Sequence, residues 1–195
     1  KEGWPSLSRT AIDKALDLFD VFYSEGDIKL FGGEPLLEPE LVRYVLESVR
    51  DKENIRWVYL STNGLGLNQE WIEFLQQYPK AILTLSMDGR AEDHRKLRRS
   101  LPGVIDSYGH VVSLLPSLHN VPRLVVTQTI APATAKNALV NFQHLRSLGF
   151  RRFNFLPGYF IPWRSEQLQL LQSNFRGIRT EIETSWRSNE YIYVR

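Results

Sequence analysis

The sequence predicts an α/β protein, a sheet of parallel strands covered by helices, and three observations lead there. Short apolar segments alternate with stretches of helical periodicity five times along the chain. The apolar segments carry hydrophobic residues at successive positions, as strands buried on both faces do. No low-complexity segment or linker interrupts the alternation, so residues 1–195 read as a single domain. A right-handed series of such units curls into a full or partial barrel.

The elements follow in order. Ile12, Ala15, Leu16, Phe19 and Phe22 recur at helical spacing within Ser8–Tyr23, with Ser6 or Ser8 as the cap. "IKLF" (Ile28–Phe31) is short and apolar enough for a buried strand. Pro39 suits the first position of a second helix, whose apolar face is Leu41, Val42, Val45, Leu46 and Val49. "WVYLS" (Trp57–Ser61) is the second strand, and a helix capped by Asn68 runs from Gln69 to Tyr78. "AILTLSM" (Ala81–Met87) is the third, followed by a polar segment and a helix from Ile105 to Leu118. "RLVVTQTI" (Arg123–Ile130) is the fourth, followed by a helix from Ala135 to Leu148 that Gly149 stops. "RFNFL" (Arg152–Leu156) is the fifth, and a long amphipathic helix then carries Leu168, Leu171, Phe175, Ile178, Ile182 and Trp186.

Composition narrows the function. Hydrophobic residues are 43% and charged residues 24%, as in a soluble globular chain. A net charge of +2 gives no support to coating of nucleic acid. No apolar run approaches a membrane span, and Lys1–Pro5 is not a signal peptide. There is no cysteine, which excludes disulfides and thiolate-bound metals or clusters within these residues. His94, His110, His119 and His144 are scattered without metal-binding spacing, so no zinc site is expected. Lys1 begins a few residues before a helix and Arg195 follows an apolar "YIYV", so the chain is expected to be an excerpt of a longer protein.

The unusual residues collect where the strands run out, the place where parallel α/β folds bind ligands. The first strand ends in Gly32-Gly33-Glu34-Pro35, the second in Ser61-Thr62-Asn63-Gly64 and the third in Ser86-Met87-Asp88-Gly89. Thr127, Gln128 and Thr129 lie on the fourth, and Asn154, Leu156 and Pro157 on the fifth. Gly32 and Gly33 suit unusual dihedrals or a close approach of backbone to something else. Asn63-Gly64 and Asp88-Gly89 form turns in any context. Together these ends ring a pocket with hydroxyls, amides and two carboxylates, without a nucleophile or a general-base pair. That suits a polar, zwitterionic or nucleoside-like ligand. In "DHRKLRRS" (Asp93–Ser100), Arg95, Lys96, Arg98 and Arg99 read either as a solvated helix face or as an arginine grip on a carboxylate through two parallel hydrogen bonds. No aromatic is interleaved as nucleic-acid binding would want.

In order and spacing, "LFGGEPLL", "STNG", "LSMDG" followed by "EDHRKLR", and "LGFRRFNFLP" resemble radical S-adenosylmethionine (radical SAM) enzymes, from about Ser6 to Pro157. The nearest branch is that of sulfatase maturases and peptide maturases. The resemblance implies a partial (β/α)6 barrel, here with its first strand and cluster loop missing, that holds S-adenosylmethionine at the strand ends. The Gly32-Gly33-Glu34 backbone and the Glu34 side chain, beside Pro35, would meet the methionine amine. Ser86 and Arg98 would hold its carboxylate, with Arg99 as a substitute if the register slips. Asp88 and Asn63 would lie near the ribose or shape its pocket, and Leu156 would pack close to adenine. The family reductively cleaves this ligand to a 5′-deoxyadenosyl radical, which abstracts hydrogen from a peptide or protein. An electron donor such as flavodoxin or ferredoxin and a reducing cytoplasm are further implications.

One departure divides the readings. The family's [4Fe–4S] cluster sits on a CxxxCxxC loop upstream of the first helix, and these residues have no cysteine. Either the cluster segment lies outside this excerpt, which the intact polar rim favours, or the chain is a cluster-less, non-catalytic scaffold that binds peptides. A phosphate-binding barrel enzyme is disfavoured, since "LPGYF" has a single glycine where such enzymes place glycine-rich loops. "GYFIPW" (Gly158–Trp163) is expected to pack against the long helix, with lining of a substrate cleft as its other role.

Overall fold

A computed structural model describes residues 7–98 and 106–194. Its strands are β1 (Gly26–Leu30), β2 (Ile55–Thr62), β3 (Ala81–Ser86), β4 (Leu124–Ile130), β5 (Arg152–Pro157) and β6 (Tyr193–Val194). All pair in parallel, in the order β1-β2-β3-β4-β5-β6, so neighbours along the chain are neighbours in the sheet. Between them run α1 (Arg9–Phe22), α2 (Pro39–Val49), α3 (Gln69–Gln76), α4 (Ala91–Leu97), α5 (Ser107–Leu118), α6 (Ala138–Ser147) and α7 (Ser165–Arg187). The α/β fold with parallel strands under helices is as expected. None of the described helices is long and apolar enough to cross a membrane.

The local signals hold where they are physical. Ser8 caps α1 by accepting from the Ala11 N–H, and Asn68 caps α3 by accepting from the Trp71 N–H. Pro39 starts α2, and Gly149 follows α6. The alternative cap Ser6, the helix start at Ile105 and the spare cation Arg99 lie outside the described residues.

Four expectations are corrected. "YIYV" supplies a sixth strand, β6, one more than the five counted in the sequence. The polar segment after β3 contains a helix, α4, whose Asp93 and His94 are buried. The stretch from Ala135 is a 3-10 turn that leads into α6 at Ala138. The strands are not apolar on both faces. The face under the helices carries Val58, Leu60, Leu83, Leu85, Val126 and Phe153, all at most 1% exposed. The opposite face carries half-buried Tyr59, Ser61, Thr84, Ser86 and Asn154, because the sheet curls around a cavity there.

The helix-side core is close-packed. Phe142 of α6 sits 4.8 Å from the Phe153 ring at 62°, and Phe155 meets Phe175 of α7 at 5.3 Å and 76°. Tyr78 follows α3 into the core and donates its hydroxyl to the Leu46 carbonyl at 2.5 Å. Burial pushes that phenol up to about 12, so it stays a donor. At the other end of the sheet, β1 has β2 as its one strand neighbour among the described residues. An apolar groove of about 620 Å³ runs beside it, lined by Leu16 and Phe19 of α1, Leu30 and Phe31, and Val42 of α2.

The rim depends on Gly89. Its φ of +128° is closed to most side chains, and a Cβ there would lie 2.2 Å from the Asn141 Cβ. Gly89→Ala is therefore expected to destabilise the fold by at least about 2 kcal/mol. A lowered urea midpoint with an unchanged m-value would show it.

Candidate functional site

The loop after β1 is tied to the end of β2 by one carboxylate. Glu34 Oε1 accepts from the Leu36 N–H at 3.1 Å and the Thr62 hydroxyl at 2.6 Å, and Oε2 accepts from the Asn63 N–H at 2.7 Å. A carboxylate offers roughly four acceptor sites. Three are taken, which leaves one on Oε2. Pro35 opens a 3-10 turn that buries Leu36, so the loop is set from both ends.

Gly32 and Gly33 have no internal reason to be glycine. Neither has positive φ, which corrects the expectation of unusual dihedrals. Among the described residues, a Cβ on either would have nothing within 4 Å. What remains of the sequence argument is close approach: the space beside this backbone is open.

Asn63 behaves as a turn residue. Its Oδ1 accepts from the Leu65 N–H at 2.9 Å, and Gly64 follows with φ of +85°. Ser86 closes β3 on the concave face, aligned with Thr127 of β4. Leu156 of β5 aligns with Thr129 and is 40% exposed.

Asp88 and Arg98 face each other. Asp88 Oδ2 accepts from Arg98 Nε at 2.7 Å; Oδ1 accepts from Arg98 Nη2 at 3.3 Å and from the Thr129 N–H at 2.9 Å. The β3–β4 ladder ends at Ser86 and Thr127, so the Asp88 side chain supplies the next acceptor to β4. Arg98 Nη2 also donates to Thr129 Oγ1 at 3.3 Å. The Nε/Nη2 edge, the fork expected to grip a ligand carboxylate, is thus spent on Asp88, and a ligand can meet Arg98 from the Nη1 side. The neighbouring cations are paired too: Arg95 with Asp106 and Lys96 with Asp93. Arg95 and Lys96 are exposed, as the solvated-face reading expects, while Arg98 turns inward to Asp88.

His94 and Ser107 join this cluster unannounced by the sequence. The Asp88 N–H donates to His94 Nδ1 at 3.2 Å, so the ring proton is on Nε2, which donates to Ser107 Oγ at 2.8 Å. Aspartate, histidine and serine here do not form a nucleophilic triad, since Nε2 already carries a proton and cannot take the serine's. The four-residue spacing of His94 and Arg98 would put both on one helix face, but α4 ends at Leu97 and Arg98 leaves the helical conformation. Burial lowers the His94 pKa, Asp88 acts against that, and Arg98 adds to it. His144, whose Nε2 is 2.7 Å from the Tyr108 hydroxyl, is also lowered by burial. Asp93 is pushed up by burial but held lower on balance by Lys96, Asn137, Asn141 and Arg90.

Beyond β5 the expectation of core packing fails for part of "GYFIPW". Phe160 is fully exposed and Tyr159 largely so, while Trp163 stays half-buried with its indole N–H on the Gly158 carbonyl at 2.9 Å. Phe155 and Phe175 already fill the space against α7.

A lowered histidine pKa makes stability depend on pH. The unfolded chain takes up a proton near the ordinary value of 6.5 and the folded chain resists it. Stability is full above that value and falls as pH drops below it, by at most about 1.4 kcal/mol per unit of pH for His94. Urea midpoints between about pH 7.5 and about pH 5.5 should fall for the native sequence, and His94→Gln, though less stable, should show a shallower fall.

Residues 2–162 match the family model described as the radical SAM superfamily. Over 86 residues the chain is 31% identical to molybdenum cofactor biosynthesis protein 1 of Bos taurus, covering 43% of this chain and 13% of that protein. It is similar in structure to anSMEcpe with bound AdoMet, at a TM-score of 0.82 and 17% identity, covering 98% of this chain and 53% of that one. It is also similar to Streptococcus suis SuiB bound to precursor peptide SuiA, at 0.68 and 15%, covering 93% of this chain and 42% of that one. The chain thus spans about half the length of the anSMEcpe chain, and at these identities the likeness is one of fold. The fold agrees with the sequence match, which spans most of the chain and contains the ends of β1 to β5: the chain belongs to the radical SAM superfamily.

Proposed function

We propose that residues 1–195 are a single core domain that binds S-adenosylmethionine at the carboxyl ends of the strands and serves an enzyme acting on a peptide or protein. The observation that carries this is the pair Gly32-Gly33, open on its outer side and set beside a carboxylate with one acceptor site unfilled. Backbone that nothing internal crowds, next to an anion, fits an ammonium group. Glu34 Oε2 would accept from the amine. Arg98, held by Asp88, would meet the carboxylate through Nη1, with the Ser86 hydroxyl beside it. The Asn63 side-chain NH₂ group would reach the ribose, and Leu156 would cover the adenine.

Bound S-adenosylmethionine would supply hydrogen-atom abstraction on one-electron reduction. The present residues do not fit a [4Fe–4S] cluster: none is cysteine, and the described residues contain no group of three ligands for a metal. In this reading the cluster ligands lie outside these residues, and the groove along β1 opens at one end onto Gly32, Gly33 and Glu34. The peptide substrate is inferred from relatives whose structures hold peptides, anSMEcpe with Kp18Cys and SuiB with SuiA. Exposed Tyr159 and Phe160 would offer that substrate an apolar edge. A flavodoxin- or ferredoxin-like donor and a reducing cytoplasm complete the proposal. The absence of cysteine favours a second reading, a scaffold that binds peptides without chemistry.

Calorimetric titration of the 195-residue chain with S-adenosylmethionine separates the two. Binding is expected, and a silent titration leaves the scaffold. Gly33→Ala makes the test specific. Since a methyl group there meets nothing and φ is permissive, stability should stay within about 0.5 kcal/mol or rise. Affinity for S-adenosylmethionine should fall about tenfold or more. Unchanged affinity would remove the argument from the glycines.

Asp88→Asn tests the aim of Arg98. The change leaves a neutral acceptor for the guanidinium, so affinity should drop about tenfold while Thr129→Val costs little. If Asp88→Asn binds like the native chain, the pair has no part in holding the ligand.

A further inference from the structure

Below the rim, the concave face of the sheet holds a second cavity of about 410 Å³. Its neutral floor includes Ser61 of β2, Thr84 of β3 and Asn154 of β5. Each lies two residues before a rim position (Asn63, Ser86 and Leu156), so the cavity sits about 7 Å deeper than the rim. Its walls carry two cations, Lys29 of β1 and Arg152 of β5, and its lining includes no aspartate or glutamate. Neither cation forms an ion pair among the described residues. The Lys29 ammonium lies 5.9 Å from the Tyr59 ring centre, and the Arg152 guanidinium 5.3 Å from that of Tyr193. Asp27, two residues before Lys29, is not among the lining residues; its Oδ1 lies 3.5 Å from Arg56 Nε, which is nearer to Glu25 at 2.9 Å, and accepts no hydrogen bond among the described residues.

Exposed Lys29 and half-buried Arg152 flank a face that mixes Ser61, Thr84 and Asn154 with Ile82, Val125 and Val194, and with no acid among its described lining residues the face carries a positive potential. We infer that this face seats an acidic side chain of the peptide substrate, a glutamate or aspartate whose carboxylate lies between Lys29 and Arg152 with Ser61, Thr84 and Asn154 as further hydrogen-bond partners. The inference rests on the reading of the chain as a peptide-acting core, and it adds which residue the peptide must offer. Charge complementarity selects this occupant. An amide side chain would gain the hydrogen bonds without neutralising the cations, and a basic one would be repelled. A seat two residues below the rim also draws the peptide inward from the mouth, past the proposed S-adenosylmethionine pocket.

The ¹⁵N-labelled 195-residue chain, titrated at low salt with acetyl-Gly-Glu-Gly-amide and separately with acetyl-Gly-Gln-Gly-amide, tests this. Saturable shifts at the Lys29, Ser61, Thr84, Asn154 and Arg152 amides are expected with the glutamyl peptide, at least about tenfold tighter than with the glutaminyl one. Lys29→Met and Arg152→Gln should each weaken the glutamyl peptide about tenfold, as should about 0.5 M salt, with circular dichroism showing the variants folded. Equal responses to the two peptides, no response, or shifts confined to other surfaces would overturn the inference. Lys29→Glu guards against weak effects, because reversal of charge should abolish the glutamyl response. Titration of the same samples with S-adenosylmethionine reports separately, through Gly33, Glu34 and Ser86. Its failure would count against the pocket at the rim and leave the glutamyl result standing on its own.

Discussion

The rim of this sheet is organised around a carboxylate that has no access to water. The Asp88 side chain is 0% exposed, and an unpaired charge there would cost several kcal/mol. Three donors prevent that: Arg98 Nε, Arg98 Nη2 and the Thr129 N–H. They come from two constraints. The Thr129 N–H is available because the β3–β4 ladder has ended, and Arg98 reaches back because α4 ends at Leu97. Asp88 is placed by its own N–H on His94 and by the tight turn at Gly89. The guanidinium aim, the spacing of two strand ends and the start of α5 at Ser107 all refer to this one group.

Glu34 does the corresponding work at the other end. It accepts from both sides of the β1–β2 gap, so the two carboxylates each bind adjacent strand ends together where the ladder stops. The difference between them is in what is left over. Asp88 is consumed by the protein, whereas Glu34 keeps an acceptor site beside open backbone. An internal clamp at one end and a partly unsatisfied anion at the other give the rim a polarity that matches a zwitterion, whose amine and carboxylate want opposite partners.

Much of this was legible in the chain. The alternation of elements, the caps at Ser8 and Asn68, and the stop at Gly149 are local consequences of residue chemistry within one or two turns. The clustering of Gly32-Gly33-Glu34, Asn63, Asp88 and Leu156 at strand ends follows from the parallel topology alone. His94 was not legible as part of the site, because its partners are a backbone N–H and a serine thirteen residues on. Lys29 and Arg152 sit inside strands that read as core, and only the curl of the sheet turns them toward a shared cavity. Tyr159 and Phe160 looked like core for the same reason: aromatic content does not say which side of a loop is already filled.

By itself, then, the sequence determined the class of fold, five of its six strands and which ends carry polar groups, since those depend on periodicity and on short-range turn and cap chemistry. The tertiary structure decided how those groups are shared. It gave the fork of Arg98 to Asp88, left Gly32 and Gly33 with open space instead of strain, and set Ser61, Thr84 and Asn154 among apolar neighbours on one face of the sheet. Such outcomes depend on distances between residues many positions apart, and no local pattern encodes them.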